Sequence, residues 1–447
     1  MHTKPLGFSP AESQMSAVER KRVDRTLFRL ALPALGTLAV EPLYVATDTA
    51  IIGRVGSNEL AGLAAAATVL ALVVAGTNFL AYGTTERVAN AKGASDVDRS
   101  TSFARHALLL GALIGIFACV VLVSLADNLI SLLGAGVEVS EHGTRYLSIA
   151  AFGLPAVVVM IAAQGVLRGH SDYRRPFVVL MVSNILNAAI EIPLVLWAGW
   201  SIAGSALSTV IAQYVGAIWL VAICRPFLGL NRKFSFQRII AIDLMRVGRD
   251  LGIRVGSMLA VFTASTVLAA RSGDDVLAAH QIVNGTFLLL ALCLDAISIP
   301  AHTLLGESTG SGQRSTQSLI ASRVYFWSAM IGLGIAVLLF VFAGQLPLLF
   351  TSDEVVRNAA SRGLQLLAIA LVPGAIAFGG DGILIGLSDN RFLGIAAFAH
   401  TVLMAGALLF SEVRQGPGLA AIWALLGGWM TIRAVTVVLR SRALLRA

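Results

Sequence analysis

Glu41-Pro42-Leu43-Tyr44-Val45-Ala46-Thr47-Asp48-Thr49-Ala50-Ile51-Ile52-Gly53 is mostly apolar, yet it carries two carboxylic acids and a proline. It closes a segment running from about Leu27 to Gly53, long enough to cross a bilayer as a helix. Seven residues take an α-helix through about two turns and ~10.5 Å, so Glu41 and Asp48 share a face. Each acid at membrane depth costs roughly 2.5–3.5 kcal/mol on insertion scales. Pro42 removes one backbone hydrogen bond and predicts a kink. A first membrane helix that tolerates these costs points to a use for them.

The rest of the chain has the same character. Of 447 residues, 57% are hydrophobic and only 13% charged, where soluble domains are about a quarter charged. Long apolar runs predict an all-α polytopic membrane protein; a β-barrel would show short alternating segments. The sequence pI of about 9.9 does not point to nucleic acid, because the basic residues sit mostly in short loops between apolar runs. Cys119, Cys224 and Cys293 are far apart and read as small buried hydrophobes, and no metal-ligand cluster is present. The polar first ~26 residues lack an apolar core, so no cleaved signal peptide is expected.

Twelve spans are predicted, at about 27–53, 58–84, 104–126, 143–168, 176–198, 203–224, 250–271, 277–302, 322–345, 359–386, 391–411 and 418–439. An even number puts both termini on one side. Loops on that side carry 25 of the 33 basic residues and the opposite loops six, which predicts cytoplasmic termini. We read 1–26 as a cytoplasmic tail, 27–224 as a first lobe and 225–249 as a cytoplasmic loop between lobes. The second lobe follows at 250–440 and a short cytoplasmic tail at 441–447.

An internal repeat supports two lobes. A shift of 217 positions lays Arg54-Val55-Gly56-Ser57 on Arg271-Ser272-Gly273-Asp274. The same shift lays Gly165-Val166-Leu167-Arg168-Gly169 on Gly382-Ile383-Leu384-Ile385-Gly386. Six spans per unit keep the copies parallel, related by an axis along the membrane normal around a central cleft. The acids are not duplicated: Asp48 falls on Ser265, Glu191 on Leu408, Asp381 on Gln164 and Asp295 on Asn78.

Five carboxylates lie well inside predicted spans: Glu41, Asp48, Glu191, Asp295 and Asp381. Asn184, Asn187 and Glu191 are spaced i, i+3, i+7 on one helical face, and Thr209 and Gln213 are spaced i, i+4. Such groups serve either as hydrogen-bonding clamps between helices or as sites that gain and lose a proton. No catalytic triad, nucleotide loop or diphosphate-metal motif is evident, which argues against an enzyme.

Several of these stretches resemble one family. Leu30-Ala31-Leu32-Pro33-Ala34, Glu41-Pro42-Leu43 and Asp48-Thr49-Ala50 are similar to the first helix of MATE (multidrug and toxic compound extrusion) exporters of the DinF-type branch. Asn187-Ala188-Ala189-Ile190-Glu191 resembles that branch's fifth-helix Asn-x-x-x-Asp. Ile202-Ala203-Gly204-Ser205-Ala206 and Thr209-Val210-Ile211-Ala212-Gln213 resemble its sixth helix. The resemblance implies twelve helices in two pseudo-symmetric lobes and export of lipophilic, cationic small molecules by alternating access. It implies a cation site at Asp48, Asn187, Glu191 and Thr209, driven by protons with sodium as the alternative. Glu191 stands where the branch has Asp, which suits a proton better than a tightly coordinated sodium ion. Glu41, Asn184, Gln213, Asp295 and Asp381 are then expected to line the substrate cavity. The expected protein is a monomer in a bacterial inner membrane, in contact with lipids, with no cofactor and no nucleic acid. The rival within the same superfamily is a flippase for lipid-linked precursors or polysaccharide.

Overall fold

The computed structural model describes residues 10–134, 136–231, 233–412 and 418–446, with side chains from 17 onward and not at 408–412. Twelve rods run back and forth. The first is α1 (Pro10–Ile52). The second is α2 (Ser57–Thr77) continued by α3 (Phe79–Gly93), broken only at Asn78. Then come α4 (Val97–Leu132), α5 (Val137–Ala150) with α6 (Leu154–Gly169), α7 (Arg174–Ile192) and α8 (Ser201–Cys224). The second set is α9 (Arg238–Arg271), α10 (Asp274–Gly310), α11 (Arg314–Phe342), α12 (Glu354–Gly386), α13 (Asn390–Glu412) and α14 (Leu419–Arg446). Among the described residues eleven of these rods are long and apolar enough to cross a membrane. The twelfth expected span, 391–411, coincides with α13; the side chain of Leu408, the repeat partner of Glu191, lies outside the described residues.

The helices outrun the predicted spans. Hydropathy marks where a helix leaves the hydrocarbon, not where it stops. The expected loop 225–249 is mostly helix: after a 3₁₀ turn at Arg225–Phe227, α9 already begins at Arg238. The sequence there is amphipathic. Ile240, Ala241, Leu244, Val247 and Leu251 are buried at i, i+4, i+7 spacing, which holds the helix together outside the bilayer. The supposed tails behave likewise. Helix α1 starts at Pro10, and α14 continues to Arg446.

Helix α1 passes through Pro33 and Pro42 without a break. Thr37 Oγ1 donates to the Pro33 carbonyl at 2.9 Å, and Thr47 and Thr49 do the same to Leu43 and Val45. At the end of α7, Pro193–Trp197 forms a π-helical turn that begins two residues after Glu191. Such turns are frequent at functional sites.

The repeat reaches down to single backbone angles. Ser171 (φ 67°) and Ser388 (φ 64°) are separated by the same 217 positions as Ser95 (φ 58°) and Gly312 (φ 69°). Each pair turns the chain at the end of equivalent helices. Each set of helices has a core of its own. One surrounds Trp423 and Phe287, and the other includes Leu63, Leu147 and Ile202. Smaller clusters, such as Leu27 and Ala31 with Ile297 and Val324, join the two.

Candidate functional site

Three side chains meet where α1 crosses α7. Asn187 Nδ2 donates to Asp48 Oδ1 at 3.0 Å and to Glu191 Oε2 at 3.2 Å. Asp48 is 3% exposed, and Asn187 and Glu191 are fully buried. Asn187 and Glu191 sit one turn apart on α7, so the helix itself aligns them. One amide nitrogen therefore bridges two carboxylates. No basic side chain among the described residues pairs with either acid. Asn187 Oδ1 and Glu191 Oε1 are buried with no hydrogen-bond partner. The cluster is rich in acceptors and poor in positive charge. Two like charges held this close in a water-poor site need at least one proton or metal ion between them.

Thr209 stands beside the cluster with different partners. Its hydroxyl hydrogen-bonds the Tyr44 hydroxyl and donates to the Ser205 carbonyl at 3.0 Å. It reaches the acids only through α1, because Tyr44 lies one turn before Asp48.

A cavity of about 760 Å³ opens beside these groups. Its walls come from five of the first six rods, all but α4, with Ile299 of α10 joining. Glu41, Asp48, Asn184, Asn187, Thr209 and Gln213 all line it. Six of the nine residues singled out from sequence thus converge on one space, with Glu191 buried just behind it. Asp295 and Asp381 do not line this cavity, and Asp381 is engaged by two arginines instead. Asp381 Oδ2 accepts from Arg254 Nη2 at 2.5 Å and from Arg433 Nη2 at 2.7 Å. Asp295 lies on α10. The sequence shows no sign of this pairing, since Arg254 is 127 positions from Asp381.

The cavity is closed at the end that carries the termini. There α3 and α10 cross, and they do so reciprocally. Gly93 abuts the Glu307 carbonyl, and Gly310, its repeat partner, abuts the carbonyl of Asn90, the repeat partner of Glu307. Around the crossing, Lys92 Nζ meets Glu307 Oε2 at 3.1 Å, and Tyr173 Oη meets Thr303 Oγ1 at 2.7 Å. Arg87 Nη2 donates to Asp243 Oδ1 at 3.0 Å, while Ser388 Oγ donates to Glu86. Glu86 is fully buried although it lies past the end of the 58–84 span. A helix that continues beyond the hydrocarbon can still be buried by a neighbouring helix, and hydropathy does not register that.

No side chain larger than hydrogen fits at either glycine, and the obstacle is backbone. Gly93→Ala and Gly310→Ala should therefore each force this end apart. In a background lacking Cys119, Cys224 and Cys293, spin labels at the exposed positions Val97 and Ser315 should show a longer distance in most molecules of either variant. An unchanged distance distribution would mean that the crossing is not what keeps this end shut.

Comparison with known proteins follows the same lines. The MatE family profile matches residues 33–192 and 253–406. The chain is 30% identical to Protein DETOXIFICATION 44, chloroplastic, of Arabidopsis thaliana over 93% of this chain and 81% of that protein. It is 27% identical to the DNA damage-inducible protein F of Escherichia coli (strain K12), over 90% of this chain and 92% of that one. Among solved structures, a crystal structure of MATE in the bent conformation superposes with a TM-score of 0.88. It is 20% identical and covers 96% of this chain and 97% of its own, a likeness of fold.

Proposed function

This chain belongs to the MatE family, whose members are transporters and not enzymes, and on that premise we propose a proton-coupled antiporter that exports lipophilic cationic compounds. The observation that carries the reading is the Asp48–Asn187–Glu191 cluster: two buried carboxylates, one bridging amide, no counter-cation among the described residues, and a cavity alongside. With cytoplasmic termini, the closed α3–α10 crossing faces the cytoplasm and the conformation is outward-facing. Protons entering from outside neutralise Asp48 and Glu191. Neutral acids no longer attract a cation in the cavity, and the substrate leaves. Asn187 and the Tyr44–Thr209 link re-bond as the charge changes, which biases α1 against α7 and α8. The cavity then reopens to the cytoplasm, the protons depart, and the restored charges take up the next cation. Each proton moving inward gains ~2.3 kcal/mol per 100 mV. One proton against one monovalent cation cancels that electrical term and leaves the pH gradient as the driving force.

Proteoliposomes separate this from sodium coupling. An acidic lumen alone should drive accumulation of ethidium, and an imposed sodium gradient alone should drive none. Accumulation that follows sodium at constant pH overturns the proton reading. It would instead make Asn187 Oδ1 and Glu191 Oε1 the free ligands of a metal ion.

A further inference from the structure

The cavity holds a charge of the opposite sign that the cycle above does not use. Arg168 is the penultimate residue of α6, is 6% exposed, and faces the cavity. Its one side-chain hydrogen bond is to Gln164 Oε1, a turn earlier, at 3.0 Å. No carboxylate among the described residues pairs with it. The contrast with Arg433, buried to the same degree, is direct. Arg433 shares Asp381 with Arg254.

A buried guanidinium without a counter-ion is costly, and removing the partner of such a charge ordinarily destabilises strongly. The fold does not require the charge, because the repeat places Ile385, itself buried, at the equivalent position of α12. The backbone at Arg168 is used structurally, since its carbonyl accepts from Thr303 Oγ1 at 2.9 Å across the two halves. Its side chain is not. Gln164, its hydrogen-bond partner, lines the cavity with it, as do Asn78 and Tyr82.

The acids sit elsewhere in the same space. Asp48 is one turn from the end of α1 remote from the termini, Glu41 two turns deeper, and Arg168 at the end of α6 that lies toward the termini. Charge therefore changes sign along the cavity: negative toward its mouth, positive at its floor. A plain cation leaves Arg168 unsatisfied. A plain anion must pass Asp48 and Glu41. We propose that the cavity takes zwitterionic substrates, an apolar cation bearing a carboxylate, with Arg168 and Gln164 as the carboxylate subsite. A guanidinium presents a planar fork matched to a carboxylate, and pairing there relieves the buried charge. This inference rests on the cavity being the transport site.

The test uses rhodamine B, a xanthylium cation with a free carboxylate, and its ethyl ester, which keeps the cation and masks the acid. Binding to purified full-length protein is read by fluorescence anisotropy at neutral pH. Wild type should bind the acid at least about tenfold more tightly than the ester, the order expected for one charge-assisted pair. Arg168→Gln should abolish that preference, weakening the acid while leaving the ester within about threefold, a shift below 1 kcal/mol. Arg168→Lys, which keeps the charge and loses the fork, should fall between. Equal binding of the two dyes by wild type, or equal losses for both in Arg168→Gln, overturns the carboxylate subsite and leaves the transport cavity standing. Failure of wild type to bind either dye overturns both. If Arg168→Gln does not fold, the wild-type preference between acid and ester decides alone.

Discussion

Asp48→Asn protein is expected to fold, to bind an apolar cation, and to lose pH-driven accumulation by about a hundredfold, the upper range of site-to-site coupling. Folding should survive because asparagine has the shape of aspartate, and its amide oxygen can accept from Asn187 Nδ2 where Oδ1 now does at 3.0 Å. What is lost is a group that changes charge. The cycle needs a site that prefers one conformation when neutral and the other when ionised, and a ligand with equal affinity for both states shifts nothing. Glu191→Gln should give a similar loss. The double variant should be hardly worse than either single one, since residues acting through one amide bridge are not additive. Downhill exchange of substrate across the membrane should persist in all three, which separates a broken coupling from a broken protein. Full accumulation by Asp48→Asn under an acidic lumen would remove the proton site from α1.

Much of this could be read before any coordinates. Glu41 and Asp48 announced themselves as acids in an apolar helix, and the i, i+4 spacing of Asn187 and Glu191 put their side chains on one face. Local periodicity settles such matters, and the structure puts Glu41, Asp48 and Asn187 on the walls of one space with Glu191 bonded to Asn187 behind it. What was misread depends on contacts between distant segments. Arg168 is the last residue of the 143–168 apolar run, where hydropathy places it at the membrane edge, yet α6 is buried to its last turn. Its mismatch with Ile385 in the repeat was the available clue. Glu86 was hidden in the same way, buried by the α3–α10 crossing and not by lipid. The helical part of 225–249 was missed because its apolar residues form one stripe among many charges, which averages to a polar segment.

Asp381 gives the sharpest contrast between the two ways of reading an intramembrane acid. As a cavity acid, Asp381→Ala would impair transport and leave stability alone. The structure demands the opposite order of effects. The Asp381 carboxylate lies between Arg254 and Arg433, whose side chains are 11% and 6% exposed. Arg433 also lies over Trp429, 4.8 Å from the ring centre, so it has little room to retreat toward water. Removing the acid leaves two buried guanidinium groups facing each other with no anion in contact. Breaking a buried pair in this way typically costs about 3–5 kcal/mol, most of it from the charge left behind. Asp381→Ala should therefore lower the thermal midpoint in detergent far more than Asp48→Asn does. Replacing an arginine as well should help: Asp381→Ala with Arg433→Leu deletes one of the stranded charges and should recover part of the loss. Recovery on deleting a second charged residue is the mark of an ion-pair cluster, because a substrate-binding acid would gain nothing from losing its neighbour. A melt for Asp381→Ala that matches wild type, together with lost transport, would return Asp381 to the substrate path and leave the two arginines without a structural reason to converge on it.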